Sequence, residues 1–290
     1  MIADRRMLIE GEHVSPWATM KLARSVEHFN AFFARVESWN SSRTFRAPLR
    51  ISADREFIEF LMPVGNRPPL DEWGLLFGDA VHNLRAALDC VTWDLAHLDG
   101  GVPKNPKQVA FPVLKKSADW TTAAARLSSV PPEFLTRIES VQPYNDGDQS
   151  SAEDSWLSII TSLDNEDKHR GVVTGVPQAE KITLEGLGIR LGETRPGMEG
   201  RVETRFDLDA LADGDPFARF SFGALITEGS LLPTHAVVAL GACVRYNDKL
   251  IPVAQLQNEA VGRVYAVIQY LLSGSDPSNS TVIHPEGART

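Results

Sequence analysis

Two short stretches carry most of the residues that could do chemistry. The first is Gly78-Asp79-Ala80-Val81-His82-Asn83-Leu84-Arg85-Ala86-Ala87-Leu88-Asp89, which offers Asp79, His82, Asn83, Arg85 and Asp89. The second is Leu163-Asp164-Asn165-Glu166-Asp167-Lys168-His169-Arg170, which offers Asp164, Asp167, Lys168, His169 and Arg170. Each holds carboxylates, a histidine and an arginine. Arginine is a planar, bidentate phosphate ligand, and histidine is the side chain best suited to proton transfer near neutral pH. On this reading Arg85 holds a phosphate. His169 or His82 moves the proton, and Asp89 and Asp164 orient them. A second reading makes the two clusters an inter-helix ion network, Arg85 pairing with Asp164, and Asp89 with Lys168 or Arg170. A third is a metal site from Asp79, His82, Asp164 and His169. Neither stretch has a tight His-x-x-x-His pair, however, so no metal is assigned.

The elements that must position these residues are helices. Over residues 71–98, Phe77, Val81, Leu84, Leu88, Val91, Leu95 and Leu98 recur at steps of four and three and draw one apolar stripe. His82, Arg85 and Asp89 lie within about 60° of one another on that helix. Their side also carries Ala86, Cys90 and Trp93, so it should be covered by another part of the chain. The second cluster ends a helix that carries Trp156, Ile159, Ile160 and Leu163 and stops at Gly171. If the two helices pack antiparallel, the clusters face each other.

The rest reads as α+β: a helical bundle around the long central helix, with a β-hairpin and an antiparallel sheet attached. Helices are expected at 15–39, 117–128, 132–141 and 253–272, the first with Trp17, Leu22, Val26, Phe29, Phe33 and Val36 inward. A hairpin is expected at 47–62, turning near Ala53-Asp54-Arg55, and strands at 181–191, 200–208, 217–227 and 236–245. The expected organisation is one α+β domain over 1–273. Its helical part is about 15–171, its sheet-rich part about 172–250 and its closing helix about 253–272, with a loose tail at 274–290.

Composition narrows the function classes. The formal net charge is -9, which opposes a broad nucleic-acid surface but leaves room for RNA or a nucleotide at a local site. No run approaches the roughly 18 apolar residues of a bilayer span, and the first ten residues have no apolar signal core. The expectation is a cytoplasmic protein with no membrane partner, for which a homodimer is one allowed assembly. Cys90 and Cys243 sit in apolar surroundings and read as small core residues. Gly186-Leu187-Gly188 lacks the context of a dinucleotide loop, and no nucleophile elbow or phosphate loop is present, so no cofactor is expected. The tryptophans read as packing before base stacking.

Four motifs in order carry a family resemblance: Gly78-Asp79-x-x-His82-Asn83-Leu84-Arg85-x-Ala87-Leu88-Asp89, Phe111-Pro112, Gln142-Pro143-Tyr144 and Leu163-Asp164-Asn165-x-Asp167-Lys168-His169-Arg170. Over about 75–173 the chain resembles a bacterial family to which no activity is attached, which implies that both polar clusters belong to one shared feature. More distantly it resembles the HEPN superfamily, many of whose members are metal-independent ribonucleases of toxin and antiviral systems. Arg85 stands where the HEPN arginine would. No histidine lies four to six residues beyond it, where Cys90 and Val91 fall. The resemblance therefore implies either an inactive relative or a histidine drawn from elsewhere, His169 first, in a defence or stress setting.

Overall fold

The computed structural model describes residues 8–9, 12–13, 15–42, 45–65, 68–98, 100, 102–146, 151–170, 175–183, 187–194, 200–204, 212–247 and 249–274. The tail after 274, the end of the expected 200–208 strand, and His284 lie outside them. The chain is α+β. Its elements run β1 (Leu8–Ile9), β2 (Glu12–His13), α1 (Pro16–Ser42), β3 (Phe45–Ile51), β4 (Ile58–Leu61), α2 (Leu70–Leu95), α3 (Trp120–Arg126), α4 (Pro132–Ser140) and α5 (Trp156–Arg170). There follow β5 (Gly175–Thr183), β6 (Leu191–Thr194), β7 (Gly200–Thr204), β8 (Pro216–Phe222), β9 (Ala224–Ile226), β10 (His235–Tyr246), β11 (Lys249–Pro252) and α6 (Val253–Ser273).

The chain divides into two compact units, each assembled from separate segments. One comprises Met1–Ala31, Leu75–Val173 and Ala254–Thr290; the other comprises Phe32–Gly74 and Thr174–Val253. In the first unit α2 supplies the spine. Pro68 and Pro69 precede it, Asp71 and Glu72 occupy its first turn, and Gly100, at φ 72, follows its end. Phe77, Val81, Leu84, Leu88, Val91 and Leu95 are all buried, as the period requires. The first half of α1 is pinned to α2 by polar contacts as well as by the edge-to-face pair Phe29–Phe77. Ser15 Oγ donates to Asp94 (2.6 Å), Lys21 Nζ to Asn83 Oδ1 (3.2 Å), and Ser25 Oγ to the Ala80 carbonyl (2.8 Å). The buried face of α1 runs through Ala18, Ser25, Phe29, Phe32, Val36 and Trp39. Trp17 is exposed, while Leu22, Val26 and Phe33 are only half-buried, so the inward face is rotated from the one expected. The buried serines explain the rotation, because Ser15 and Ser25 are hydrogen-bonded to α2 and not left in water.

In the second unit a 7-stranded antiparallel sheet has the order β11-β10-β3-β4-β8-β7, with β5 on the other edge of β10. The 47–62 hairpin is therefore part of the same sheet as the later strands. Several expected boundaries are corrected. The 181–191 stretch is not one strand: β5 ends at Thr183 and β6 starts at Leu191. The 217–227 stretch breaks at Gly223, whose φ of 76 ends β8 and sends β9 to pair with β6 in a separate two-stranded sheet. The 117–128 helix begins as a 3-10 turn over Ser117–Asp119 and is α-helical only from Trp120.

Candidate functional site

In the first unit α2 and α5 pack antiparallel, and the two polar clusters meet. His82 Nδ1 lies 3.0 Å from Asp164 Oδ1. One turn earlier on α2, Gly78 faces Asp167: a Cβ there would stand 2.3 Å from Asp167 Oδ1 and 2.6 Å from its Cγ. Glycine in a helix interior costs about 1 kcal/mol against alanine, and the close approach of the Asp167 carboxylate is what that cost permits here. Sequence reasoning quoted Gly78 in a motif but gave it no part. Its signal was there, as a helix-breaking residue inside the best-patterned helix.

The two members of the His82–Asp164 pair sit in different surroundings. The Asp164 side chain is 3% exposed and the His82 side chain 45%. A buried carboxylate that accepts from Nδ1–H selects one tautomer and leaves Nε2 as the basic nitrogen. Among the described residues Nε2 has no partner. The geometry is that of an oriented imidazole with one free nitrogen, able to take or give a proton.

Arg85 is differently placed. Its side chain is 13% exposed. Nη2 donates to the Phe111 carbonyl (2.5 Å) and lies 3.0 Å from Asp89 Oδ1, while the buried Nη1 has no partner among the described residues. Asp89 Oδ1 also accepts the Phe111 N–H (2.8 Å). The pair thus grips both backbone polar groups of Phe111, whose ring is fully buried. Three residues on, the Leu114 N–H donates to Gln142 Oε1 (2.9 Å), and Gln142 Nε2 donates to the Ile138 carbonyl (2.8 Å). The Phe111 and Gln142 motifs are therefore joined to α2 by hydrogen bonds. Tyr144, beside them, has its hydroxyl pushed above the usual phenol range by burial and then by the Glu139 carboxylate.

The other members of the clusters lie around this centre. Asn83 is buried and bridges Lys21 and the Asp79 carbonyl. Asp79 is exposed, with His28 Nδ1 at 3.9 Å. The backbone of α5 continues through Lys168, His169 and Arg170, whose side chains lie outside the described ones. Of the ion network sketched from sequence, Arg85 turns to Asp89 along its own helix and Asp164 meets His82; the expected contacts of Asp89 with Lys168 or Arg170 fall on side chains outside the described ones. Among the described residues no three His, Cys, Asp or Glu side chains converge as metal ligands, and no helix is long and apolar enough to cross a membrane.

Next to His82 along α2 lies an open groove of about 390 Å³, lined by Trp17, Ala86, Asp89, Cys90, Trp93, Asp94 and Val109. His82, Ala86, Asp89 and Trp93 fall within about 60° of one another around the helix. The imidazole therefore stands one turn from the groove's nearest wall. This gives Trp17 and Trp93 a place that core packing did not foresee; Trp39 and Trp73, by contrast, are buried. Cys90 is half-buried against the groove, whereas Cys243 is a core residue.

Comparison with protein-family models, with curated proteins and with solved structures finds no match.

Proposed function

We propose that the helical unit is a HEPN-like acid–base site acting on RNA or a nucleotide phosphate. The single observation that carries this reading is the half-exposed His82 held through Nδ1 by the buried Asp164. In this role His82 Nε2 takes the proton of an attacking ribose 2′-hydroxyl as its oxygen bonds to the adjacent phosphorus, the P–O5′ bond breaks, the imidazolium returns the proton to the leaving 5′-oxygen, and Asp164 stabilises the imidazolium in between. Arg85 is a positioning residue: its guanidinium is spent on Phe111 and Asp89 and fixes the segment that carries Val109 to the groove. The indoles of Trp17 and Trp93 offer stacking faces for a base. The net charge of -9 restricts such a partner to this local site.

A second reading, a non-enzymatic binding or regulatory protein, is favoured by one feature: Arg85 is turned inward, as a helix-bundle scaffold requires. His82→Gln separates the two, because glutamine keeps an amide N–H for Asp164 and removes the base. Purified wild type and variant are incubated with RNA oligonucleotides and a nucleotide panel, in chelator and with divalent cation, and each is melted. The catalytic reading expects cleavage by wild type in chelator and a loss of roughly 10²- to 10⁴-fold in the variant at unchanged melting temperature. An inert wild type, or a variant that cleaves as well as wild type, overturns it.

A further inference from the structure

The second unit carries a row of charges across its sheet that nothing in the proposed reaction uses. Arg50 on β3 is directly opposite Glu59 on β4, Glu59 is opposite Arg219 on β8, and Arg219 is opposite Glu203 on β7. Strands about 4.8 Å apart put the Arg50 and Arg219 backbones about 10 Å from each other, with Glu59 between them. The Glu59 side chain is 4% exposed, and the two arginines cover it. Arg50 Nε meets Oε2 at 2.5 Å, and Arg219 Nη2 meets Oε1 at 2.9 Å. An ordinary surface ladder contributes little and leaves its carboxylates wet; this one buries the carboxylate and keeps both guanidiniums about half-exposed.

Those guanidiniums line an open cavity of about 540 Å³, together with Ser52, Asp54, Phe57 and Glu59. Each has N–H donors left over. Among the described residues Arg50 meets Glu59 through Nε and Arg219 through Nη2, while the Arg219 Cζ lies 5.9 Å from the centre of the Phe57 ring. Glu59 thus acts as a spacer that orients two forks toward one space.

We infer that this cavity binds the phosphate group of a small phosphate ester between Arg50 and Arg219. The choice of phosphate follows from donor geometry. A phosphate ester offers three strong acceptor oxygens and up to two negative charges to the remaining donors of two forks, whereas a carboxylate offers two oxygens and one charge. The cavity leaves room beyond the phosphate for an organic portion against Phe57 and Ile51. Asp54 on the rim is turned to its own loop: it accepts the Ser52 hydroxyl (2.5 Å) and the Glu56 N–H (3.1 Å). Its charge, that of Glu59 and that of the cross-strand Glu203 offset the two arginines, so binding is moderate and falls with added salt.

The test is calorimetric titration of the full chain with inorganic phosphate and with glycerol phosphate at low ionic strength. Acetate and chloride at matched ionic strength serve as controls. Saturable phosphate binding is expected, weakened about tenfold or more in Arg50→Gln and Arg219→Gln and tightened in Asp54→Asn. Arg50→Lys keeps a cation for Glu59 but loses the fork, so it is expected to melt like wild type and still bind weakly. The inference is overturned if phosphate does not bind, if chloride reproduces the effect, or if Arg50→Lys binds phosphate as wild type does. His82→Gln leaves phosphate binding here unchanged, so this result and the cleavage result are read separately.

Discussion

Gly78→Ala is the most informative single change in the helical unit, because two effects of opposite sign act at one atom. Alanine in a helix interior is better than glycine by about 1 kcal/mol, so on an isolated helix the variant would be the more stable protein. In this structure the new Cβ meets Asp167 Oδ1 at 2.3 Å, Cγ at 2.6 Å and Oδ2 at 2.8 Å. All three are closer than any carbon contact tolerates, so the whole Asp167 carboxylate has to move from its place against α2. Overpacking of this kind costs about 1–3 kcal/mol. The net is a destabilisation of about 1 kcal/mol, and for a chain of this size that lowers the melting temperature by about 2–4 °C. Adding Asp167→Ala removes the obstacle and lets the helix gain reappear. The double variant should therefore exceed the sum of the singles by about 1–3 kcal/mol. Urea unfolding of the four proteins of the cycle gives that coupling directly. The displacement also loosens the His82–Asp164 contact one turn away, visible as a change in the imidazole nitrogen resonances. If Gly78→Ala is as stable as wild type or more so, and the cycle is additive, α2 and α5 are not held at this approach and the account of the site fails.

Two further outcomes follow from the same structure. Arg85→Ala removes the cation beside the half-buried Asp89 and strands the Phe111 carbonyl. A loss of about 1–3 kcal/mol is expected, with faster proteolysis near residues 109–114; an unchanged melting temperature would show that the grip on Phe111 is idle. In the sheet unit the Asp54 carboxyl is held below its usual range, first by the Ser52 hydroxyl and then by the Glu56 N–H. Its contribution to stability is complete above the ordinary carboxylate value of about 3.9 and disappears as pH falls through the lowered folded value. Ser52→Ala should therefore flatten the acid limb of stability below about pH 4. Equal slopes in wild type and variant from urea melts across that range would refute the assignment.

What the sequence disclosed and what it withheld follow from the range of the interactions involved. The α2 stripe was legible because burial at steps of three and four is written along one segment. The face shared by His82, Arg85 and Asp89 was legible for the same reason. Their partners were not. Helical spacing says which way Arg85 points around its axis, but not that a backbone carbonyl at Phe111 will meet it. A carbonyl has no residue signature, so this contact was invisible. The split of the 217–227 stretch depended on Gly223 taking positive φ, which apolar alternation on either side conceals. The rotated face of α1 was missed because the groups that hold Ser15 and Ser25 inward, Asp94 and the Ala80 carbonyl, lie on α2, far along the chain.

The weight given to the acid–base reading rests on an asymmetry within the polar cluster. On the Arg85 side the guanidinium is buried, and the contacts close on backbone groups that would otherwise be orphaned; this is what a scaffold needs. On the His82 side only one partner is buried. Sinking the Asp164 carboxylate costs more than an apolar side chain would at the same contact, and if α2 and α5 had only to be joined, two apolar residues would join them as well. What the carboxylate adds is a fixed orientation and tautomer for an imidazole whose other nitrogen has no partner among the described residues, one turn from an aromatic-walled groove. A structural network has no use for that free nitrogen, and a proton-transfer site does.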